Sequence, residues 1–164
     1  MLEWIDRACT VIDHVMGAAV VTLFAVMVIV GGAQVGNRFF FGLSLSWAEE
    51  LQRYAHIWLV FFAIPIAYRL GSHIGVRILL DFLPQAARSV AKHLIDVLWF
   101  GMGAIIVSLA LQVMQVARLQ TSPGIEVRMD MVYLGILIGG GYMALCAARQ
   151  LLGLRSAPPA RQDI

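Results

Sequence analysis

Charge is what this chain lacks. Only 13% of its 164 residues are charged, against the roughly 25% that a soluble domain spreads over its surface. So few charges could not cover a water-facing shell. Lysine occurs once, as Lys92, among twelve basic residues, and the net charge is +2. That balance is too small, and too scattered among apolar runs, for nucleic-acid binding. Catalytic signatures are missing as well: there is no H-E-x-x-H, no Walker loop, no G-x-S-x-G and no cysteine pair at metal-binding spacing. No enzymatic activity, metal or cofactor is expected. The two cysteines, Cys9 and Cys146, read as incidental small apolar residues and not as a disulfide. None of the four histidines (His14, His56, His73, His93) pairs with another at matching depth on facing helices, which argues against a bis-histidine haem.

What the chain has instead is length without charge. Residues 15–37, 97–117 and 131–148 carry no charged side chain, and residues 51–68 are interrupted only by Arg53 and His56. Each run is close to the roughly 20 residues that cross about 30 Å of hydrocarbon. The expectation is an all-α integral membrane protein with four transmembrane helices, at about 15–36, 48–69, 97–117 and 131–151. Together they form a single membrane domain over residues 1–154. The first run is too long for a signal peptide's apolar region, and acids flank it (Glu3, Asp6, Asp13), so it reads as an uncleaved anchor.

Basic residues set the orientation. Arg7, Arg69, Arg77, Arg88, Lys92, Arg149, Arg155 and Arg161 fall on one side, while Arg38, Arg53, Arg118 and Arg128 fall on the other. Both termini are therefore expected in the cytoplasm. Residues 71–96 mix apolar and charged positions around Pro84 and can hold a short interfacial helix between helices two and three. Residues 155–164, with Pro158 and Pro159, are expected to be a disordered cytoplasmic tail.

Small and polar residues fall in lines along the spans. Ala18, Thr22, Ala25, Gly32 and Gly36 share a face of the first helix, and Gly101, Ala104, Ser108, Gln112 and Gln115 share one on the third. The fourth aligns Gly135 and Gly139, followed by Tyr142 and Cys146. Such stripes let helices approach closely, and amides can hydrogen-bond across the contact. Packing within the four-helix unit and packing against another protein both remain open. Lipid offers Gln112 and Gln115 no hydrogen-bond partner, so protein is expected to face them.

Residues 37–58, NRFFFGLSLSWAEELQRYAHIW, concentrate charge and aromatics between two spans. Ser46 and Glu49 match a capping box for a helix starting at Trp47, a residue suited to the membrane interface. Glu49, Gln52, Arg53 and His56 then form a stripe, with Glu49 and Arg53 at ion-pair spacing. Pro65 should kink this helix or disturb its hydrogen-bond ladder. Tyr54, Trp58, Phe61 and Tyr68 lie on another face, suited to lipid or a partner. Ionisable residues within a span mark functional sites by default. Substrate binding, proton relay and locking to a neighbour are all open, but the stripe lies off the midplane where transporters place their sites. That depth favours locking.

The series N-R-F-F-F-G-x-S-L-S-W-A-E-E-L, I-W-L-V-F-F-A and Y-R-L-G-S-H-I-G-V resembles the small, DctQ-type membrane subunit of tripartite ATP-independent periplasmic (TRAP) transporters. It rests on Asn37, Arg38, Phe41, Trp47, Glu49, Glu50, Leu51, Trp58, Tyr68, Arg69, Gly71, His73, Ile74 and Val76, with an echo at Thr121, Ser122, Pro123, Val132 and Tyr133. The chain departs from the pattern at Arg128 and Leu137, where prolines are usual, and at Arg77, where an acid is common. The resemblance implies a non-catalytic small permease subunit in a bacterial inner membrane. Such a subunit braces a large multi-helix permease that imports an organic acid, such as a C4-dicarboxylate or a sialic acid, with sodium. A periplasmic substrate-binding protein delivers that acid. Ending after four helices, the chain is expected to be the unfused form. The docking surface implied runs over Asn37, Arg38, Trp47, Glu49, Glu50, Gln52, Arg53, His56, Trp58, His73, Ser108, Gln112 and Gln115. Two other readings compete: an autonomous four-helix exporter, and a membrane anchor of a haem or quinone oxidoreductase.

Overall fold

A computed structural model describes residues 2–42, 45–70, 82 and 84–153. Four helices account for nearly all of them: α1 Leu2–Phe41, α2 Ser46–Arg69, α3 Gln85–Ala117 and α4 Met129–Leu151. The protein is an all-α membrane protein. By length and apolarity, α1, α3 and α4 contain stretches that can cross a bilayer. The four charged residues of α2, Glu49, Glu50, Arg53 and its terminal Arg69, keep it less apolar.

Two helices outrun the expected spans. α1 has 40 residues and α3 has 33, roughly 60 Å and 50 Å at 1.5 Å per residue. Charge-free windows report depth in the bilayer, whereas a helix continues past its last lipid-facing residue wherever propensity allows. The longer overhangs, residues 2–14 of α1 and 85–96 of α3, lie at their helices' N-terminal ends, on the same side of the unit. Pro84, extended at φ −60° and ψ 152°, caps α3, so the amphipathic stretch beyond it is the first turns of α3. The rest of the segment expected to hold an interfacial helix, residues 71–81 and 83, lies outside the described residues, as does the expected tail, 155–164.

The helices form a row, not a closed bundle: α1 packs on α2, α2 on α4, and α4 on α3. α1 runs antiparallel to α2, α2 parallel to α4, and α3 antiparallel to α4. One end, the loop end, therefore carries the α1–α2 turn and the α3–α4 loop, and the other carries the termini. Being interior to the row, α2 and α4 supply most of the core. Phe62, Tyr68, Tyr142, Cys146 and Ala147 are buried with Met16 of α1. Both cysteines are free and buried.

The glycines of α4 set the α2–α4 spacing. A Cβ on Gly135 would lie 2.4 Å from the Trp58 ring, and one on Gly139 would lie 2.7 Å from the Phe61 carbonyl oxygen. Pro65 has no N–H to give that carbonyl. Helix α2 runs on through the buried Pro65, and the orphaned oxygen faces Gly139, where a Cα–H can approach it. Across α4, Gly103 of α3 seats against backbone atoms of Gly140 and Ala144. The fourth helix's small face thus packs inside the unit. Those of α1 and α3 do not: Ala18, Thr22, Ala25 and Gly32 are exposed, as are Ala104, Ser108, Gln112 and Gln115.

Candidate docking surface

The chain enters α2 through Leu45, extended at φ −100° and ψ 93°, with no side-chain cap. Ala48 N–H donates to the Leu45 carbonyl at 3.1 Å. The helix thus starts at Ser46, one residue earlier than the capping box requires. Ser46 is inside the first turn and cannot cap it.

The one-face stripe of four residues also divides. Glu49 and Arg53 form no ion pair; Glu49 instead accepts from Gln34 Nε2 of α1 at 3.4 Å. Gln52 turns to α1, donating to the Met27 carbonyl at 3.3 Å and lying over Gly31. Arg53 and His56 remain exposed, as do Arg38 and Trp47, while Asn37 is half-buried. So Glu49 and Gln52 tie α2 to α1, and Arg53 and His56 are left facing outward. Ser108 spends its hydroxyl on the Ile105 carbonyl of its own helix, at 2.8 Å, and projects outward with Gln112 and Gln115. Those two amides do not face protein among the described residues. His73 lies outside the described residues.

Glu50 does something different. Its carboxylate accepts from the Ser122 hydroxyl and from the backbone N–H groups of Gly124 (3.0 Å) and Ile125 (3.2 Å). The loop itself is closed by Ser122 N–H to the Val127 carbonyl (2.9 Å) and Met129 N–H to the Gln120 carbonyl (3.0 Å). Glu50 thus pins the α3–α4 loop onto the start of α2. Replacing Glu50 with Ala should speed amide hydrogen exchange at Gly124 and Ile125 roughly tenfold or more, as loss of charge-assisted bonds implies. Exchange unchanged at both amides would contradict the pin.

The aromatic strip of α2 reverses its expected direction. Trp58 Nε1–H donates to the Val132 carbonyl (3.0 Å), Tyr54 approaches Met129 Sδ (3.6 Å), and Tyr68 is buried. These residues are the seam with α4, not a lipid-facing surface. Lateral position within the unit decides this, and a helical wheel cannot supply it.

At the termini end is a cluster that residue spacing does not reveal. Asp13 of α1 is 7% exposed. It accepts from Arg69 Nη1 of α2 (2.5 Å), Arg149 Nη1 of α4 (3.1 Å) and the Tyr142 hydroxyl (2.7 Å). Beside it, the Tyr68 hydroxyl donates to Asp96 of α3 at 2.5 Å, and its ring stacks on Trp99 at 4.4 Å. Long side chains here join helices whose backbones do not touch. Asp13 read as a flanking acid and Arg149 as an orientation charge, because depth says nothing about which way a helix is turned. The only available signal was their common level at the termini end.

The outer arginine, the loop pin and the aromatic seam all fall within one family pattern. The model for "Tripartite ATP-independent periplasmic transporters, DctQ component" matches residues 26–156. The chain belongs to the DctQ family. That family consists of transporter subunits and not enzymes. The chain's similarity extends to the isethionate TRAP transporter permease protein DctMQ of Oleidesulfovibrio alaskensis, 32% identical over 65% of this chain and 17% of that protein. The C4-dicarboxylate TRAP transporter small permease protein DctQ of Rhodobacter capsulatus is 30% identical over 62% of this chain and 46% of its own length. The sialic acid small permease protein SiaQ of Vibrio cholerae is 30% identical over 59% and 57% respectively. The matched stretch thus spans about half of these two small permeases, and much less of DctMQ. Within this DctQ-family chain, Arg69, Tyr142 and Arg149 lie inside the matched residues, and Asp13 precedes them.

Proposed function

We propose that this chain is a fixed brace for the large permease subunit of a TRAP system in a bacterial inner membrane, with both termini in the cytoplasm. The system imports an organic acid, delivered by a periplasmic binding protein and driven by sodium. The observation that carries this reading is the outward placement of Arg53, His56, Gln112 and Gln115 on a four-helix unit that leaves them unburied. Polar side chains at membrane depth are costly toward lipid, and protein relieves them. Two helix faces lined with small residues offer room for that protein. The relatives named for isethionate, C4-dicarboxylates and sialic acid support an acidic organic solute as the cargo class.

The brace is tested by co-purification with the large subunit. Arg53→Glu should weaken that association roughly tenfold, equivalent to about 1.4 kcal/mol, while membrane insertion and helicity stay normal. Glu49→Lys should also weaken it, because Glu49 anchors Gln34 beside the same surface. Full recovery of the complex in both variants would reject this face as the dock.

A further inference from the structure

The polar residues of the docking surface are ordered in depth, and that order constrains what can face them. Glu50 and Arg69 stand 19 positions apart on α2, as do Asp130 and Arg149 on α4. At 1.5 Å per residue these charged layers are about 28 Å apart, close to the roughly 30 Å of a hydrocarbon core. Arg53 and His56 lie three and six positions inside the Glu50 layer, about 4.5 and 9 Å down. Backbone contacts carry these levels across the unit: Gly139 sits at the Phe61 carbonyl, and Gly103 sits against Gly140 and Ala144. Counted toward the loop end from there, Gln112 comes level with His56 and Gln115 with Arg53, each to within about one residue. All four side chains are exposed. Two outward faces thus carry polar groups at the same two depths.

Lipid cannot meet them. Arg53 can snorkel to the phosphates along its methylenes, but His56, shorter and a turn deeper, cannot. A second copy of this chain has no anion to offer Arg53 at that depth. Residues 14–33, 51–68, 97–117 and 131–148 contain no aspartate or glutamate. The helix acids at the loop end are engaged: Glu49 with Gln34, Asp130 with Arg128, and Glu50 with Ser122, Gly124 and Ile125. Arg53 shares its field with Glu50, but that carboxylate is held on the loop. A guanidinium in low dielectric needs an anion that also accepts its hydrogen bonds. A different protein must bring it.

We infer that the large permease subunit presents a carboxylate to Arg53, within a polar layer that also meets His56, Gln112 and Gln115. On the brace reading, from which this follows, the partner carries one aspartate or glutamate about one turn inside the loop-end boundary.

The test uses the complete complex of this chain with the large permease in nanodiscs. A photo-crosslinking phenylalanine derivative replaces Arg53, His56 or Gln112 in turn, and the products are mapped by peptide mass spectrometry. His56 and Gln112 positions should join the large subunit, and the Arg53 product should fall within about one helical turn of an aspartate or glutamate. Arg53→Glu should lower recovery of the complex roughly tenfold, and lysine in place of the mapped acid should restore most of that loss. Arg53→Gln serves if Arg53→Glu fails to insert: it should weaken the complex, and neutralising the acid as well should cost little more. Crosslinks to the large subunit with no acid beside Arg53 would overturn the carboxylate and leave the brace standing, as would no restoration by the swap or additive losses in the neutral pair. Crosslinks only to phospholipid or to a second copy, or none from an intact complex, would overturn the docking face and the carboxylate with it.

Discussion

Replacing Asp13 with Asn should destabilise the protein by about 3 kcal/mol, the lower end of the cost of breaking a buried ion pair by removing one partner. The carboxylate is 7% exposed and accepts three hydrogen bonds, two of them from arginines. Asn keeps the shape and one acceptor but removes the negative charge, leaving the Arg149 guanidinium, itself 7% exposed, beside a neutral group. Arg69 is 26% exposed and can turn toward the interface, which moderates the loss. The measurement is equilibrium unfolding in detergent micelles, followed by circular dichroism. A paired change, Asp13→Leu with Arg149→Met, should recover part of the stability, because removing both charges spares the unpaired one. A cost below about 0.5 kcal/mol for Asp13→Asn, the range of an ordinary surface substitution, would show that the cluster carries little of the fold.

The second large effect is steric. Gly139→Val should force α2 and α4 apart, at a cost of about 1–3 kcal/mol for overpacking. The first atom of any side chain there would sit 2.7 Å from the Phe61 carbonyl oxygen and 2.9 Å from its carbonyl carbon. Backbone cannot rotate out of the way as a side chain can. At Gly32 nothing lies within 4 Å of the same atom, so Gly32→Val should leave the isolated chain's stability unchanged. Comparing the two in detergent separates contacts that build the unit from faces left open. Equal destabilisation at Gly32 and Gly139 would contradict the row arrangement, since α1 would then have to be packed on its small-residue face.

The difference between those glycines shows what could be read without coordinates. Absence of charge located the helices, three of which are long and apolar enough to cross a bilayer, because removing a charge from water costs the same on any face of a helix. Period located the stripes, because residues at steps of three and four share a side. Which side faces which neighbour was open, and it separated Gly139, inside, from Gly32, outside. Lateral order also turned the Tyr54–Trp58–Tyr68 strip inward and left Gln112 and Gln115 outside. The expected Ser46–Glu49 cap failed by one residue, since Leu45 can adopt the extended cap geometry without contributing a side chain. Asp13 escaped notice for a related reason: its partners come from α2 and α4, 56 and 136 residues along the chain.

The central claim is that this chain braces a transporter without moving solute itself, and uptake into sodium-loaded gradients across liposome membranes tests it directly. Liposomes holding the purified chain alone should take up no carboxylate above protein-free controls. Liposomes holding it with the large permease, supplied with the binding protein, should accumulate the cargo acid. Uptake by the chain alone would contradict the account.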